Sequence, residues 1–189
     1  MNYQTIQQNK FFTSRWLVLL LVTLVGCASN DGLNSAGLNM AALEAADITN
    51  FRAPESQVLS SGQPTEAQLQ VMANAGVKHV VNLRTAGEQV DFDEKAAVEA
   101  AGMTYYSIPV AGGAGVNSAN ASSLQQLLNN ISGEPVLVHC ASGNRVGGLM
   151  AVSAFQNGQS IDGAMAEGAR WGMTSDQLQQ TVRQTLSGN

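Results

Sequence analysis

The 189-residue chain is poor in the residues that staple or metallate small proteins, with two cysteines and two histidines. Two cysteines cannot build a disulfide framework, and two histidines leave little for a zinc centre. Charge is scarce too. Only 12% of residues are charged, and nine Lys+Arg stand against fourteen Asp+Glu for a net charge of −5. That balance argues against a nucleic-acid partner, because neutralising phosphates takes clustered cations. Aromatics make up 5%, which is little material for a deep slot walled by rings. Neither a Walker loop nor a dinucleotide fingerprint is present, so no cofactor and no metal are expected. What remains is 44% hydrophobic with four prolines, a globular composition whose length suits one domain with extras.

The longest apolar run, Trp16–Val25, has ten residues. A membrane-spanning helix needs about 20. Lys10 and Arg15 are the only charges in Met1–Gly26, and a basic flank before a short apolar core reads as an export signal over residues 1–26. The run ends Leu24-Val25-Gly26-Cys27, which is similar to the lipobox of bacterial lipoproteins. That resemblance implies cleavage before Cys27, a diacylglycerol on its sulfur and a further chain on its amine. Each buried methylene contributes about 0.8 kcal/mol, so several chains hold a protein to a lipid bilayer where one does not. Ala28, in place of Asp, favours the outer membrane, facing the periplasm. Losing Lys10 and Arg15 leaves seven basic against fourteen acidic residues, which disfavours polyanionic partners such as inositol polyphosphates. Residues 27–50, rich in Asn, Ser, Gly and Ala, are expected to be the lipidated cysteine and a flexible tether, with a short helix over Met40–Ala46. The folded domain is then residues 51–189.

From Phe51 the pattern alternates strand and helix. Thr65 and Gln68 form a capping box for a helix that ends at Gly76. Val77–Leu83 is a β-rich run, Asp93–Ala101 a helix, and Thr104–Val110 the next strand. Leu124, Leu127, Leu128 and Ile131 fall at i, i+3, i+4 and i+7, the stripe of an amphipathic helix. Val136–His139 reads as a short buried strand, followed by helices at Arg145–Gln156, Ile161–Trp171 and Ser175–Leu186. Alternation of this kind predicts an α/β fold: a central, mostly parallel sheet of about four strands flanked by helices. Functional loops then lie at the carboxyl ends of the strands.

One such loop carries the chemistry. The strand Val136–His139 runs into Cys140-Ala141-Ser142-Gly143-Asn144-Arg145 and then a helix. A strand, a tight loop of small residues and a helix start gather backbone N–H groups around an anion. Gly143 can take a positive φ. A cysteine here has its thiolate stabilised by the helix end and a nearby cation. Arg145 offers a fork to two phosphoryl oxygens, and an arginine at a helix start opposes the dipole unless an anion sits before it. The bland alternative is a small buried cysteine.

His139-Cys140…Arg145 resembles the signature loop of the protein tyrosine and dual-specificity phosphatases. Ser61-Gly62-Gln63-Pro64-Thr65, with Gly76-Val77-Lys78-His79-Val80-Val81-Asn82-Leu83-Arg84 after it, resembles one bacterial branch, the beta-lactamase-hydrolase-like phosphatases. The resemblance implies a dual-specificity-phosphatase-like fold and a phosphorylated small-molecule or protein substrate. It also implies Cys140 as nucleophile, Arg145 as phosphate clamp, Ala141, Ser142, Gly143 and Asn144 as phosphate-binding loop, and His139 as an orienting residue. Arg84 either shapes the pocket or forms an ion pair with Glu88 or Asp91.

Three departures keep other readings open. Four residues separate Cys140 from Arg145, a spacing shared with the sulfur-transferring rhodaneses. Val146 stands where many phosphatases carry Ser or Thr. The stretch Ala111–Ser123 has no Asp or Glu where tyrosine phosphatases keep the general acid, leaving Glu88, Asp91, Asp93 and Glu94 as the nearest carboxylates. Without an acid the reaction loses about 10²–10⁴-fold and favours good leaving groups. A sulfurtransferase and a catalytically weak anion- or partner-binding module are therefore the alternatives. Tyr105, Tyr106 and Trp171 are the aromatics available to wall a phosphotyrosine slot.

Overall fold

The computed structural model describes residues 37–88 and 90–188. The expected export signal and Cys27 lie outside the described residues. Four strands, β1 (Val58–Ser61), β2 (His79–Asn82), β3 (Thr104–Ser107) and β4 (Val136–His139), make one sheet in the order β1-β4-β2-β3. Every pairing is parallel, as the α/β pattern predicts.

Side chains alternate across each strand. Val81, Val136 and Val138 join one core cluster, while Val80 and Leu137 join the other. Against the first face pack α4 (Ser118–Asn130), α5 (Asn144–Gln156), α6 (Ile161–Arg170) and α7 (Asp176–Leu186). Against the second pack α1 (Met40–Ala45), α2 (Glu66–Asn74) and α3 (Glu94–Ala100). The capping box forms: Thr65 Oγ1 accepts from the Gln68 amide at 3.2 Å, and Gln68 Oε1 from the Thr65 amide at 2.9 Å. The third strand stops at Ser107 rather than Val110, because its bonds to β2 then pass from Asn82 to the adjacent Leu83 and lose the alternation of a ladder. The chain still runs beside β2, with the Ile108 amide on the Asn82 carbonyl at 3.0 Å and that of Val110 on Leu83 at 2.9 Å.

α5 is the central helix, and every residue from Arg145 to Ala154 is buried. Glycine makes its crossing with α6 possible. A Cβ at Gly147 would sit 2.4 Å from the Gly168 carbonyl and the Met173 nitrogen.

The domain begins earlier than the composition suggested. Leu38 and Leu43 are fully buried and Ile48 is 5% exposed, all in the core cluster under α2 and α3. Leu38–Asn50 is thus part of the fold and not a tether. Its three buried apolar residues are spread thinly among Asn, Ala, Asp and Thr, with no helical or strand period to reveal them.

Register sets the site. Ser61 and Asn82 lie level with His139, so the segments that follow β1, β2 and β4 converge at the carboxyl edge of the sheet.

Candidate active site

Cys140 leaves β4 fully buried. Gly143 adopts φ 83°, a left-handed turn that glycine takes without strain. That turn aims the Gly143 amide at Cys140 Sγ, 3.1 Å away. No side chain caps α5, so the amides of its first turn stay available to an anion. Two asparagines hold the loop from outside. Asn50 Nδ2 donates to the carbonyls of Ser142 at 2.9 Å and Gly172 at 2.8 Å. Asn144 Nδ2 donates to Ser142 Oγ at 3.2 Å, and its Oδ1 accepts from the amides of Thr174 at 2.8 Å and Ser175 at 2.7 Å.

Arg145 is buried and turned toward the loop after β2. Its Nη1 donates to Glu88 Oε1 at 2.7 Å and to the Val110 carbonyl at 2.7 Å, and its Nη2 to Glu88 Oε2 at 2.5 Å. The Arg145 hydrogen bonds hold the Glu88 carboxyl at about 2, with help from the Thr85 amide and against the effect of burial. In return Arg145 is held above the usual guanidinium range, chiefly by its bond to Glu88.

Behind the loop lies a buried polar cluster. His139 is fully buried with Nε2 3.1 Å from Glu94 Oε1, a polar contact set off the axis of a good hydrogen bond. Glu94 also accepts from Gln63 Nε2 at 2.6 Å and Asn82 Nδ2 at 2.5 Å. Burial alone would raise the Glu94 carboxyl, but His139, Gln63 and Arg84 together pull it below the usual range. Arg84 is buried as well. It donates to Gln63 Oε1 and to the Glu88 carbonyl, and its Nε stands 3.7 Å from Glu88 Oε2. These contacts brace the Glu88 loop, and Arg84 is not among the residues that line the cavity.

A cavity of about 570 Å³ opens in front of Arg145, Ser142 and Asn144. It is bounded by Thr85 and Glu88, by Ala111-Gly112-Gly113, and by Ser175, Gln177, Leu178 and Thr181 of the α7 region. Among the described residues no aromatic lines it. Tyr105 takes a hydrogen bond from Asn82 at 3.0 Å, Tyr106 packs tilted against His79, and Trp171 is buried, donating to Glu167 at 2.7 Å. The carboxylates near in sequence are accounted for. Glu88 is tied to Arg145, Glu94 is buried, Asp93 caps α3 through the Ala96 amide, and Asp91 is exposed away from the lining. Among the described residues no cluster of His, Cys, Asp and Glu is placed to hold a metal ion.

Sequence reasoning places Cys140, Arg145, Ala141–Asn144 and His139 together, and the fold brings them together. It missed Asn50, whose only signal is a lone asparagine before an aromatic residue, and it missed the joining of Gln63, Asn82 and Glu94. Ser175 and Gln177 come from a helix start 30 residues beyond the loop, and no spacing rule points to them.

A family model described as "DSP-PTPase phosphatase fused to NAD+ Kinase" matches residues 38–185. The chain belongs to this family, and its domain is of the dual-specificity and tyrosine phosphatase type. The beta-lactamase hydrolase-like protein of Agrobacterium fabrum (strain C58) is 34% identical over 107 residues, 54% of this chain and 23% of that protein. The chain thus matches about a quarter of that curated relative's length. A DUF442 protein of Shewanella putrefaciens CN-32 superposes with a TM-score of 0.60 at 25% identity, covering 79% of this chain and 97% of that one. TpbA of P. aeruginosa, solved as its C132S variant with pTyr, shares the fold at 21% identity and TM-score 0.55, covering 74% of this chain and 84% of that one.

Proposed function

We propose that the chain is a cysteine-dependent phosphatase that hydrolyses phosphomonoesters through a cysteinyl-phosphate. The Cys140 sulfur bonds to phosphorus, and the electron pair of the scissile P–O bond leaves with the departing oxygen. Water then attacks phosphorus and frees the thiolate and inorganic phosphate. The amides of Ala141, Ser142, Gly143 and Asn144 and the free edge of Arg145 stabilise the charge on the equatorial oxygens, the term that dominates phosphoryl transfer. His139 and Arg84 support from behind, the first under the nucleophile and the second under Glu88.

The observation that carries this reading is the Gly143 amide on Cys140 Sγ at 3.1 Å beside an Arg145 oriented by Glu88. A sulfurtransferase also uses a six-residue Cys-to-Arg loop, so thiosulfate with cyanide is the control substrate. The test is hydrolysis of p-nitrophenyl phosphate by the reduced protein beside Cys140→Ser. Turnover lost in the variant establishes the thiol mechanism. Equal rates in both discard it and leave oxyanion binding as the function.

We further propose that Cys27 carries lipid and holds the domain to the cell envelope, at the outer membrane facing the periplasm. Among the described residues no helix is long and apolar enough to cross a membrane. Attachment then rests on the lipobox-like end of the leader. Partition of the wild type into detergent, with Cys27→Ser left in the aqueous phase, is the expected result.

A further inference from the structure

The cavity in front of Arg145 constrains the leaving group as well as the phosphate. Four features bear on what it can hold. Its described lining carries two charged groups, Arg145 and Glu88, and these are paired with each other, so a second or third phosphate would meet no free cation. No aromatic ring stands in its described lining, so a phenolic ring would find no stacking wall there. Its one carboxylate is ionised, held at about 2 by the Arg145 fork, so it has no proton to give near neutral pH. What the wall does offer is neutral hydrogen bonding. Ser142 Oγ accepts from Asn144 at 3.2 Å and Ser175 Oγ from the Leu178 amide at 3.3 Å, which leaves both hydroxyl hydrogens free to donate. Gln177 adds an exposed carboxamide.

We infer that the site takes acyl phosphates of small polar carboxylic acids, recognising the acyl carbonyl through Ser142, Ser175 and Gln177. This rests on the phosphatase reading and names its substrate class. An acyl phosphate has one phosphoryl group, which matches a single cation. Its carbonyl oxygen is an acceptor for the neutral donors of the wall. Its leaving group is a carboxylate, which departs as an anion without a proton. Alkyl phosphates need a proton donor at the leaving oxygen, and none stands in the described lining. The step balances: Cys140 sulfur bonds to phosphorus as the P–O bond breaks and the carboxylate leaves with the electron pair. Water then displaces the thiolate, and both of its hydrogens end on dihydrogen phosphate.

The test compares kcat/KM of the reduced full-length protein for acetyl phosphate, p-nitrophenyl phosphate, phosphotyrosine and glucose 6-phosphate, each corrected by the Cys140→Ser rate. Acetyl phosphate is expected to exceed glucose 6-phosphate by about 100-fold or more and to exceed phosphotyrosine. Glucose 6-phosphate within tenfold of acetyl phosphate overturns the inference. So does turnover of p-nitrophenyl phosphate with none of acetyl phosphate, an outcome that leaves the phosphatase reading standing. Failure of every probe removes both. Asp176→Asn deletes the exposed carboxylate between Ser175 and Gln177 and is expected to leave the ranking unchanged. A tenfold or greater drop in that variant identifies a proton donor and overturns the inference.

Discussion

Glu88 and Arg145 meet head-on, carboxylate to guanidinium, with both oxygens bonded at 2.7 and 2.5 Å. The fork engages both Nη atoms, and in the proposed reaction an incoming phosphoryl group takes the Nε side. Residues 57 positions apart in sequence are joined this way because the segment after β2 runs beside the start of α5 at the carboxyl edge of the sheet. An arginine that begins a buried helix is unfavourable to the dipole, and Glu88 offsets that charge.

The same contact makes stability depend on acid. The Glu88 carboxyl ordinarily titrates near 4.5 and is held at about 2 in the fold. A depressed carboxylate contributes stability that is complete above its unfolded pKa and is lost as pH falls toward the folded one. Wild type is expected to lose about 2 kcal/mol between pH 5 and pH 2 through this pair, after allowance for its solvent-facing side. Urea midpoints across that range check it. Glu88→Gln should flatten this part of the profile and lower kcat/KM for p-nitrophenyl phosphate about 10- to 100-fold, since Arg145 then lacks its charged orienting partner.

Glu94 is the keystone of the cluster behind the nucleophile. Glu94→Ala removes one acceptor each from Gln63 and Asn82, which keep their bonds to Pro64 and Tyr105, and takes the anion away from the fully buried His139. Leaving a buried polar group without its partner costs about 1–3 kcal/mol, so a loss of that size is expected. The urea midpoint should fall with the denaturant slope unchanged. A change under about 0.5 kcal/mol would mean that water replaces the carboxylate, a surface-like response.

The loop was legible because its chemistry is contiguous. Cys140 to Arg145 lie in six residues, and strand, small residues and helix follow in one reading direction. The sheet was legible because β2 and β4 are valine-rich runs and β3 carries two adjacent tyrosines. The groups that orient the loop were not, because they arrive from distant segments through parallel crossovers. Glu88 and Glu94 stood among four carboxylates of similar standing, and only the register of Asn82 with His139 separates their roles. Leu38, Leu43 and Ile48 were hidden by polar company, five residues apart.

Those three residues give a direct test of where the domain begins. Each fully buried aliphatic side chain contributes about 1.5–3 kcal/mol, and a domain of this size has only about 5–15 kcal/mol in total. A chain starting at Phe51 is expected to be unfolded or aggregated at 25 °C, whereas one starting at Gly37 melts cooperatively. Circular dichroism on the two distinguishes them, and equal melting curves would return Leu38–Asn50 to the status of a tether.

Asn50 ties that N-terminal segment to the Cys140–Arg145 loop, and its role can be read apart from bulk stability. It takes φ 50°, which asparagine tolerates better than most residues, and a Cβ at Gly143 would lie 2.6 Å from its Nδ2. The amide serves two carbonyls, of Ser142 and Gly172, so both contacts need a donor. Asn50→Ala loses two neutral hydrogen bonds and about 1–2 kcal/mol. Asn50→Asp keeps the backbone preference but sets a carboxylate against two carbonyl oxygens, and is expected to be the worse of the two. Turnover should follow the same order, wild type above Ala above Asp. Under the proposed reaction the loss should fall mainly on kcat, because Asn50 holds the Ser142 carbonyl and with it the orientation of the loop amides. Melting temperature and kcat/KM measured together decide it: Asp equal to or better than Ala in both would show that the side chain is not acting as a donor.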